Sequence, residues 1–235
     1  MSKKKSNKIF IHQPDFAPWI TFFKRISFSD IFVILDDVQF NRRGWINRDY
    51  LKFNLEKALI TIPTKKTNRD NTKIFDVKID YTNKRWIDKT LNSIHQNYSS
   101  TKNFEIVNEF LSKALKEKYE NLIDLNLSII NFATNKLNIK TKTIFSSKLE
   151  TNSFKSNKIL EICEKLQATD YIIGSGAKEY LNIKDFQDKK IKLIDNIFFN
   201  RKYDQKGIFI KDLSIIDILF NENFKDIEIF IKDNC

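Results

Sequence analysis

The apolar positions near the start of the chain change their period twice. Residues 9–11 form a short apolar run that stops at His12, which predicts a strand. Pro14 and Pro18 bracket a turn, after which apolar side chains recur at helical spacing from position 19 to position 26. Residues 31–35 are a second apolar run of the length of a buried strand. The pattern therefore predicts strand, turn, helix and strand, in that order.

The middle of the chain has a hairpin pattern followed by helical periodicity. Residues 50–63 alternate enough to predict a β-hairpin, and residues 74–79 predict a further short strand. From 81 to 137 the apolar positions repeat with helical period, which predicts a helical insert of about sixty residues. We expect this insert to pack on the sheet and support the site.

The last third returns to alternating strands and helices. The apolar runs predict strands at 141–145, 170–173 and 191–197. Helical spacing predicts helices at 156–166 and 213–220, with a short helix or turn at 177–181.

Strands that alternate with helices predict an α/β fold with a mainly parallel, doubly wound sheet. We expect one domain over 1–235, in which 1–80 and 138–235 form the sheet and 81–137 is the insert.

The amino-acid composition indicates the cellular compartment of the protein. No apolar run approaches the ~18 residues of a membrane-spanning helix, and the basic start lacks the apolar core of a secretory signal. The two cysteines, Cys163 and Cys235, cannot form a disulfide framework, which fits a reducing compartment. These features predict a cytoplasmic protein without a membrane span.

The formal net charge of +11 does not by itself indicate nucleic-acid binding. Lysines are spread over the whole chain, whereas a nucleic-acid binder concentrates its positive charge on one face or motif. We therefore predict no nucleic-acid partner. The few arginines are more informative, because three of them crowd residues 42–48.

Polar residues follow two predicted strands at the point where each ends. In open α/β sheets, ligands bind beyond the carboxyl ends of the strands. His12 follows the first strand beside Gln13, and its imidazole could accept a proton near neutral pH. The alternative is a turn histidine that bonds a backbone carbonyl. We select His12 as a candidate catalytic residue and Gln13 as a substrate-binding one.

Asp36 and Asp37 follow the second strand and are further catalytic candidates. Neighbouring side chains of a strand point to opposite sides, so both can face one ligand only if the backbone turns there. One could orient His12 or an arginine while the other binds a substrate amine or a metal. The alternative is capping and turn formation, which aspartate performs routinely.

The next segment has the composition of a recognition loop. Arginine suits bidentate contacts with phosphate or carboxylate, and an indole can stack on a sugar or a base. The alternative is a solvated basic turn. The substrate-binding candidates of this loop are Gln39, Arg42, Arg43, Trp45, Asn47 and Arg48.

Small residues follow two later strands, where the backbone can approach a ligand and its N–H groups can bind an anion. The substrate-binding candidates there are Ser146, Ser147, Gly174, Ser175, Gly176, Lys178, Tyr180 and Tyr203. Cys163 lies at an inward helical position and is better explained as a packed thiol. The sequence contains neither a metal-ligand spacing such as CxxC or HxxxH nor a GxSxG motif, so we predict no metal site and no serine triad.

Several spaced segments resemble the WbqC-like protein family of bacterial surface-polysaccharide loci. They are HQPDFAPW at 12–19, SDIFVILDDVQFNRRGWINR at 29–48, IFSSKL at 144–149, KILEICEKLQATDYIIGSGAKEYL at 158–181 and YDQKGIFIKDLSIIDILFN at 203–221. Together they span nearly the whole chain in order, which makes the resemblance far more specific than one short motif.

The resemblance implies an enzyme of O-antigen (lipopolysaccharide) or other glycan biosynthesis. The activity it suggests is transfer of an acyl or aminoacyl group, such as glycyl, to an amino sugar. The partner would be a nucleotide-linked amino sugar, and no cofactor would be required because the donor arrives activated. An acyl carrier protein as donor and a homo-oligomer are left open.

Two other functions stay open at this stage. The strand-HQPxxxPW-helix opening superficially resembles nucleotidylyltransferase-like enzymes, which would need ATP and Mg²⁺, the cation held by Asp36 or Asp37. A second histidine after His12 is missing from that motif. A non-catalytic binding protein of the same pathway is the other alternative.

Overall fold

The computed structural model describes residues 6–66, 72–83, 85–174, 176–195 and 202–233. The strands are β1 Lys8–His12, β2 Ile31–Ile34, β3 Arg48–Phe53, β4 Glu56–Thr61, β5 Lys142–Phe145, β6 Asp170–Ile172 and β7 Lys192–Ile194. A five-stranded sheet has the order β5-β2-β1-β6-β7, and each neighbouring pair in it is parallel. Strands β3 and β4 form a separate antiparallel hairpin. The predicted α/β class with a mainly parallel sheet is confirmed.

The helices surround this sheet and include the predicted insert. They are α1 Ile20–Phe28, α2 Arg85–Tyr98, α3 Phe104–Lys116, α4 Leu122–Lys136, α5 Lys155–Lys165, α6 Ile183–Asp188, α7 Ile215–Asn221 and α8 Phe224–Lys232. Helices α2 to α4 occupy the region predicted as a helical insert. Within the described ranges, no helix combines the length and apolarity needed to cross a bilayer.

The sheet has two buried faces because successive side chains of a strand point to opposite sides. Phe10 of β1 and Phe32 of β2 belong to the core that α1, α4 and α8 cover. Ile9 and Ile11 of β1 and Val33 of β2 belong to a second core on the opposite face, beneath α5 and α6. Short, fully apolar strands are what such a doubly covered sheet requires.

The order of the strands creates a switch point between β1 and β6. The chain runs from β1 outward to β2 and β5, then crosses to the other side of β1 to form β6 and β7. The connections therefore leave the carboxyl ends of β1 and β6 in opposite directions, which opens a crevice there. Such crevices are the usual ligand sites of open α/β sheets.

One predicted strand is not a strand in the structure. Residues 74–79 contain a 3-10 turn, Ile74–Asp76, and then isolated bridges. The Leu122 N–H donates to the Val77 carbonyl at 2.8 Å, so the segment runs along the start of α4. Its apolar side chains are buried in the core without a continuous partner strand, which explains the strand-like pattern.

Candidate active site at the switch point of the sheet

His12 is the last residue of β1 and projects into the crevice. Its Nδ1 lies 2.9 Å from the Gln13 carbonyl oxygen. A carbonyl can only accept a hydrogen bond, so Nδ1 carries the proton and Nε2 keeps a lone pair. The ring packs edge-on against Phe22 of α1, with centroids 5.3 Å apart. The imidazole is thus held in the tautomer that a proton acceptor needs.

Gly174 brings the end of β6 against the imidazole of His12. A Cβ at this position would lie 3.0 Å from His12 Cδ2 and 3.6 Å from Nε2. The backbone can approach the ring this closely because glycine has no side chain. The two strand ends on either side of the switch point therefore meet at His12.

A pocket with a volume of about 60 Å³ that is open to solvent lies beside His12. The turn after β1, helix α1, and the loop and strand at β3 all contribute to its wall. Its charged, titratable and indole side chains are His12, Asp15, Trp19, Arg25, Trp45 and Asp49. A concave site with apolar walls and a few convergent polar groups is typical of small-molecule binding.

Two carboxyl groups face this pocket. Asp15 Oδ2 lies 3.7 Å from His12 Nδ1. Burial raises the pKa of Asp15, and its electrostatic interaction with His12 partly offsets that effect. Asp49 is 2% exposed, and its Oδ1 accepts hydrogen bonds from Trp19 Nε1 at 3.0 Å and from the Tyr50 N–H at 2.6 Å.

The ionisation of Asp49 is strongly perturbed. Burial raises its pKa to about 8, although the N–H groups of Tyr50 and Trp19 favour the charged form. The nearby charge of Asp15 raises it further. Paired titratable groups with shifted pKa values in a cleft are characteristic of functional sites.

Arg25 lines the pocket from the side of α1. Its Nε donates to the Ile173 carbonyl at 3.1 Å and its Nη1 to the Thr21 carbonyl at 3.2 Å. Burial lowers the pKa of this guanidinium, and Asp195 opposes the shift. The contact with Ile173 ties α1 to the segment that leads into Gly174.

The aromatic part of the wall consists of two indoles, Trp19 and Trp45, and two phenyl rings, Phe10 and Phe22. Trp19 and Trp45 are in edge contact with centroids 5.7 Å apart, and Trp45 is 5.7 Å from Tyr50. Trp45 is 38% exposed and lines the pocket. Such faces suit stacking on a sugar ring.

The two predicted catalytic aspartates lie in a different, buried polar cluster. Asp36 Oδ1 accepts hydrogen bonds from Ser146 Oγ at 3.0 Å and from the Ser147 N–H at 2.9 Å. Asp36 Oδ2 accepts from Ser147 Oγ at 2.7 Å. The cluster joins the carboxyl ends of β2 and β5, and neither aspartate lines the pocket of His12.

Lys158 of α5 completes this cluster. Its Nζ lies 2.7 Å from Asp37 Oδ2 and 2.6 Å from Thr151 Oγ1, while Ser146 Oγ lies 2.5 Å from Asp37 Oδ1. Although burial opposes ionisation, the hydrogen bonds from Lys158 and Ser146 lower the pKa of Asp37. The arrangement connects β2, β5 and α5, and the predicted residues Ser146 and Ser147 serve it.

The predicted recognition loop is divided in the structure. Trp45 reaches the pocket, whereas Arg42 and Arg43 are exposed and do not line it. Arg48 donates from Nη2 to the Arg42 carbonyl at 2.5 Å, so it braces the loop. Asn47 is buried and donates to the Ile62 carbonyl at 3.0 Å, which anchors the loop to the end of the hairpin.

Gln13 and Gln39 differ in their distance from the site. The Gln13 carbonyl orients His12, and its side chain is half-buried. Gln39 is exposed and forms an isolated bridge with Lys73.

The last strand-end candidates are only partly accounted for. Gly176 has a left-handed φ of +81° before the 3-10 turn Ala177–Glu179, which contains Lys178. Ser175 lies outside the described residues. Tyr180 is 53% exposed. Tyr203 donates to Asp217 Oδ2 at 2.5 Å and belongs to the polar network beneath α7.

Four charged or indole side chains of the pocket were not predicted from the sequence: Asp15, Trp19, Arg25 and Asp49. Asp15 and Trp19 lie inside the HQPDFAPW segment, where only the first two residues were selected. Asp49 could have been recognised from its register, because it alternates with the buried Leu51 on β3 and so places a carboxyl on the buried face of a strand. Arg25 carried no such signal.

Comparison with known proteins supplies the family. The model of the WbqC-like protein family matches residues 13–229. The uncharacterized protein Rv1507c of Mycobacterium tuberculosis (strain ATCC 25618 / H37Rv) is 31% identical over 220 residues, covering 91% of this chain and 93% of the relative. No solved structure matches the chain. The chain belongs to the WbqC-like protein family.

Proposed function

We propose that the protein is a cytoplasmic enzyme of surface-glycan biosynthesis that transfers an activated acyl or aminoacyl group to the amine of a nucleotide-linked amino sugar. The observation that carries this proposal is His12, whose Nε2 is available for proton transfer in an aromatic-walled pocket at the switch point. The resemblance of the sequence to glycan-locus proteins supports the pathway and the type of acceptor.

The geometry supports the following proton path. The acceptor amine attacks the acyl carbon of a thioester, a C–N bond forms and the C–S bond breaks. His12 Nε2 takes the proton that the nitrogen loses, and the same imidazolium returns it to the leaving thiolate. The Gln13 carbonyl stabilises the imidazolium because it accepts from Nδ1 in both protonation states. No cofactor enters this reaction.

The substrate would lie across the switch point. Trp19 and Trp45 would stack on the sugar, as aromatic side chains do in carbohydrate sites. Arg42 and Arg43 lie in the loop that carries Trp45, so the diphosphate of a nucleotide sugar would face them. This arrangement explains why one loop combines arginines with an indole.

Nucleotidyl transfer from ATP is a second candidate, and the strand order favours it. Numbered within the sheet, the order is 3-2-1-4-5, which is that of many nucleotide-binding folds. The proposed Mg²⁺ ligands fit less well. Both oxygens of Asp36 accept hydrogen bonds from serines, and Lys158 already supplies a positive charge to Asp37. No step is therefore assigned to a metal here.

A thermal-shift screen followed by a turnover assay tests the proposal. We expect a nucleotide-linked amino sugar to raise the Tm, because a ligand that binds only the folded state stabilises it by mass action. An acyl thioester should then release its thiol only when that amino sugar is present. Turnover that depends on ATP and Mg²⁺ instead would select the second candidate. Ligand binding without turnover in either assay would indicate a non-catalytic binding protein and contradict the proposal.

A further inference from the structure

The pocket beside His12 combines two carboxyl groups with aromatic faces. Asp15 comes from the turn after β1 and Asp49 from β3, so two separate parts of the chain direct carboxyls to one pocket. Among the described residues, Asp49 accepts hydrogen bonds only at Oδ1. The indoles of Trp19 and Trp45 border the same space.

From this juxtaposition we propose that the pocket is an ammonium-binding subsite, in which Asp15 and Asp49 bind a primary amine of the substrate as a cation against the faces of Trp19 and Trp45. It deepens the proposed function and rests on it for the assignment of this pocket to the acceptor. The bound ammonium would pass one proton to a carboxylate of the subsite before the neutral nitrogen attacks, and His12 would take the second proton during the attack. Carboxylates and indole faces are the groups that attract organic cations.

The chemistry of the wall favours a primary amine over a metal ion. Among the described residues there is no group of three or more histidine, cysteine or acidic side chains that could hold a metal. Two carboxyls and an indole face match the three N–H donors of an alkylammonium and its attached carbon. The remaining cation of the wall, Arg25, is directed to the Ile173 and Thr21 carbonyls and so leaves the carboxyls to the ligand.

Cation binding in this pocket is coupled to a proton. The charged or titratable groups that face Asp49 are His12 and Asp15 from β1 and its turn, Arg25 from α1, and Lys57 from β4. Because burial raises the pKa of Asp49 to about 8, its carboxyl is mostly protonated at pH 7 when the pocket is empty. An incoming ammonium favours the charged form and releases this proton.

The indole N–H of Trp19 reports on these events directly, because it donates to Asp49 Oδ1. The chain has three tryptophans, so 15N labelling of tryptophan gives three indole signals, which Trp45→Phe and Trp86→Phe assign. We would follow the Trp19 signal during titrations with D-glucosamine and with D-glucose as the matched neutral sugar. Both titrations would be repeated between pH 6 and pH 9.

We expect glucosamine to bind about tenfold more tightly than glucose at pH 7, since charged hydrogen bonds are worth more than neutral ones. It should also shift the midpoint of the indole titration to lower pH. Asp49→Asn should remove the preference, whereas Asp88→Asn, at an exposed position of α2, should keep it.

Equal affinity for the two sugars, or a Trp19 signal that neither sugar moves, would overturn the subsite. If Asp49→Asn does not fold, the affinities of the unmodified protein for glucosamine and for glucose still test the subsite. No thioester is used, so failure of acyl transfer and failure of this subsite give separate results.

Discussion

Asp49 illustrates how burial and hydrogen bonding compete at a single residue. Its side chain is almost fully buried on β3, which disfavours the carboxylate, while two N–H donors favour it. The effect of burial is larger than that of the hydrogen bonds, so the pKa of Asp49 is raised to about 8. Asp49 therefore carries a proton at neutral pH, and its ionisation makes the free energy of unfolding depend on pH.

This linkage predicts the pH dependence of stability. The pKa of Asp49 is raised above its unfolded value, so its contribution is fully present below about pH 4 and is lost as pH rises towards 8. Asp49→Asn should therefore be more stable than the unmodified protein at pH 8.5, by at most about 5 kcal/mol. Urea unfolding at pH 5 and pH 8.5 measures the difference, and a gap that fails to widen with pH would contradict the assignment.

Gly174 predicts a second effect at the scale of one residue. In Gly174→Ala the new methyl group would meet His12 Cδ2 at 3.0 Å and displace the imidazole. We expect turnover to fall by about tenfold or more, because small misplacements of a catalytic group are costly. The free energy of unfolding should change by less than about 2 kcal/mol.

Gly44→Ala is the control for Gly174→Ala, since its Cβ would contact only Asn41. Steady-state rates and urea unfolding should be measured for both variants. Equal rates for the two would indicate that Gly174 does not position His12.

For single residues, the sequence predicts which side chains have reactive or binding groups better than it predicts where those side chains lie. His12 was predicted because a titratable residue followed an apolar strand, and the structure places it in a pocket. Asp36 also followed a strand, yet its oxygens bond Ser146 and Ser147. A polar residue at the end of a strand can line a pocket or bond other residues of the fold. The local sequence cannot distinguish the two outcomes, because they depend on residues more than a hundred positions away.

Among the secondary-structure elements, the polar cluster at the ends of β2 and β5 acts as a connector. Lys158 of α5 and Asp37 after β2 form a nearly buried ion pair, with side chains 7% and 11% exposed. Removing one partner of such a pair leaves an uncompensated buried charge. The contact thereby fixes α5 on the second face of the sheet.

Lys158→Met should therefore lower the free energy of unfolding by about 3 kcal/mol or more. Lys165→Met, at an exposed position of the same helix, should change it by less than about 0.5 kcal/mol. Urea unfolding of both variants at pH 7 tests this difference.

The pKa of Asp37 is lowered, so its contribution to the free energy of unfolding is lost as pH falls through the folded-state value. The free energies of unfolding of the two variants should therefore converge in acid. A gap that does not narrow at all as the pH is lowered below about 4 would argue against the ion pair as the cause.

Most elements could be predicted from periodicity, and the exceptions have physical reasons. Helix α4 lies inside the predicted insert, because its apolar stripe spans four turns. Helix α8 was missed because the polar segment between Phe220 and Phe224 looked like the end of α7. Its inward positions, Ile227 and Ile231, give only one helical repeat.

At the scale of the whole molecule, the order of the strands determines where the site lies. Parallel strands could be predicted from the alternation of strands and helices, but their order depends on contacts between distant segments. The return of the chain to pair β6 with β1 creates the crevice at His12. No local pattern in the sequence encodes that pairing.

The helical insert also contacts the segments that form the candidate site. Asn126 of α4 donates to the carbonyls of Pro14 and Ile46, each at 2.7 Å. These two carbonyls belong to the turn after β1 and to the loop that carries Trp45, so one side chain of the insert holds both walls of the pocket together. This gives physical content to the expectation that the insert supports the site.

In the proposed reaction His12 moves the proton in group transfer to an amine. The most direct measurement compares His12→Gln with the unmodified protein for thiol release from an acyl thioester in the presence of a nucleotide-linked amino sugar. His95→Gln is the matched control, because His95 lies in α2 against Phe104. We expect His12→Gln to lose at least about 100-fold in rate while its affinity for the amino sugar changes little, and His95→Gln to keep its rate. A His12→Gln protein that turns over as fast as the unmodified one would contradict it.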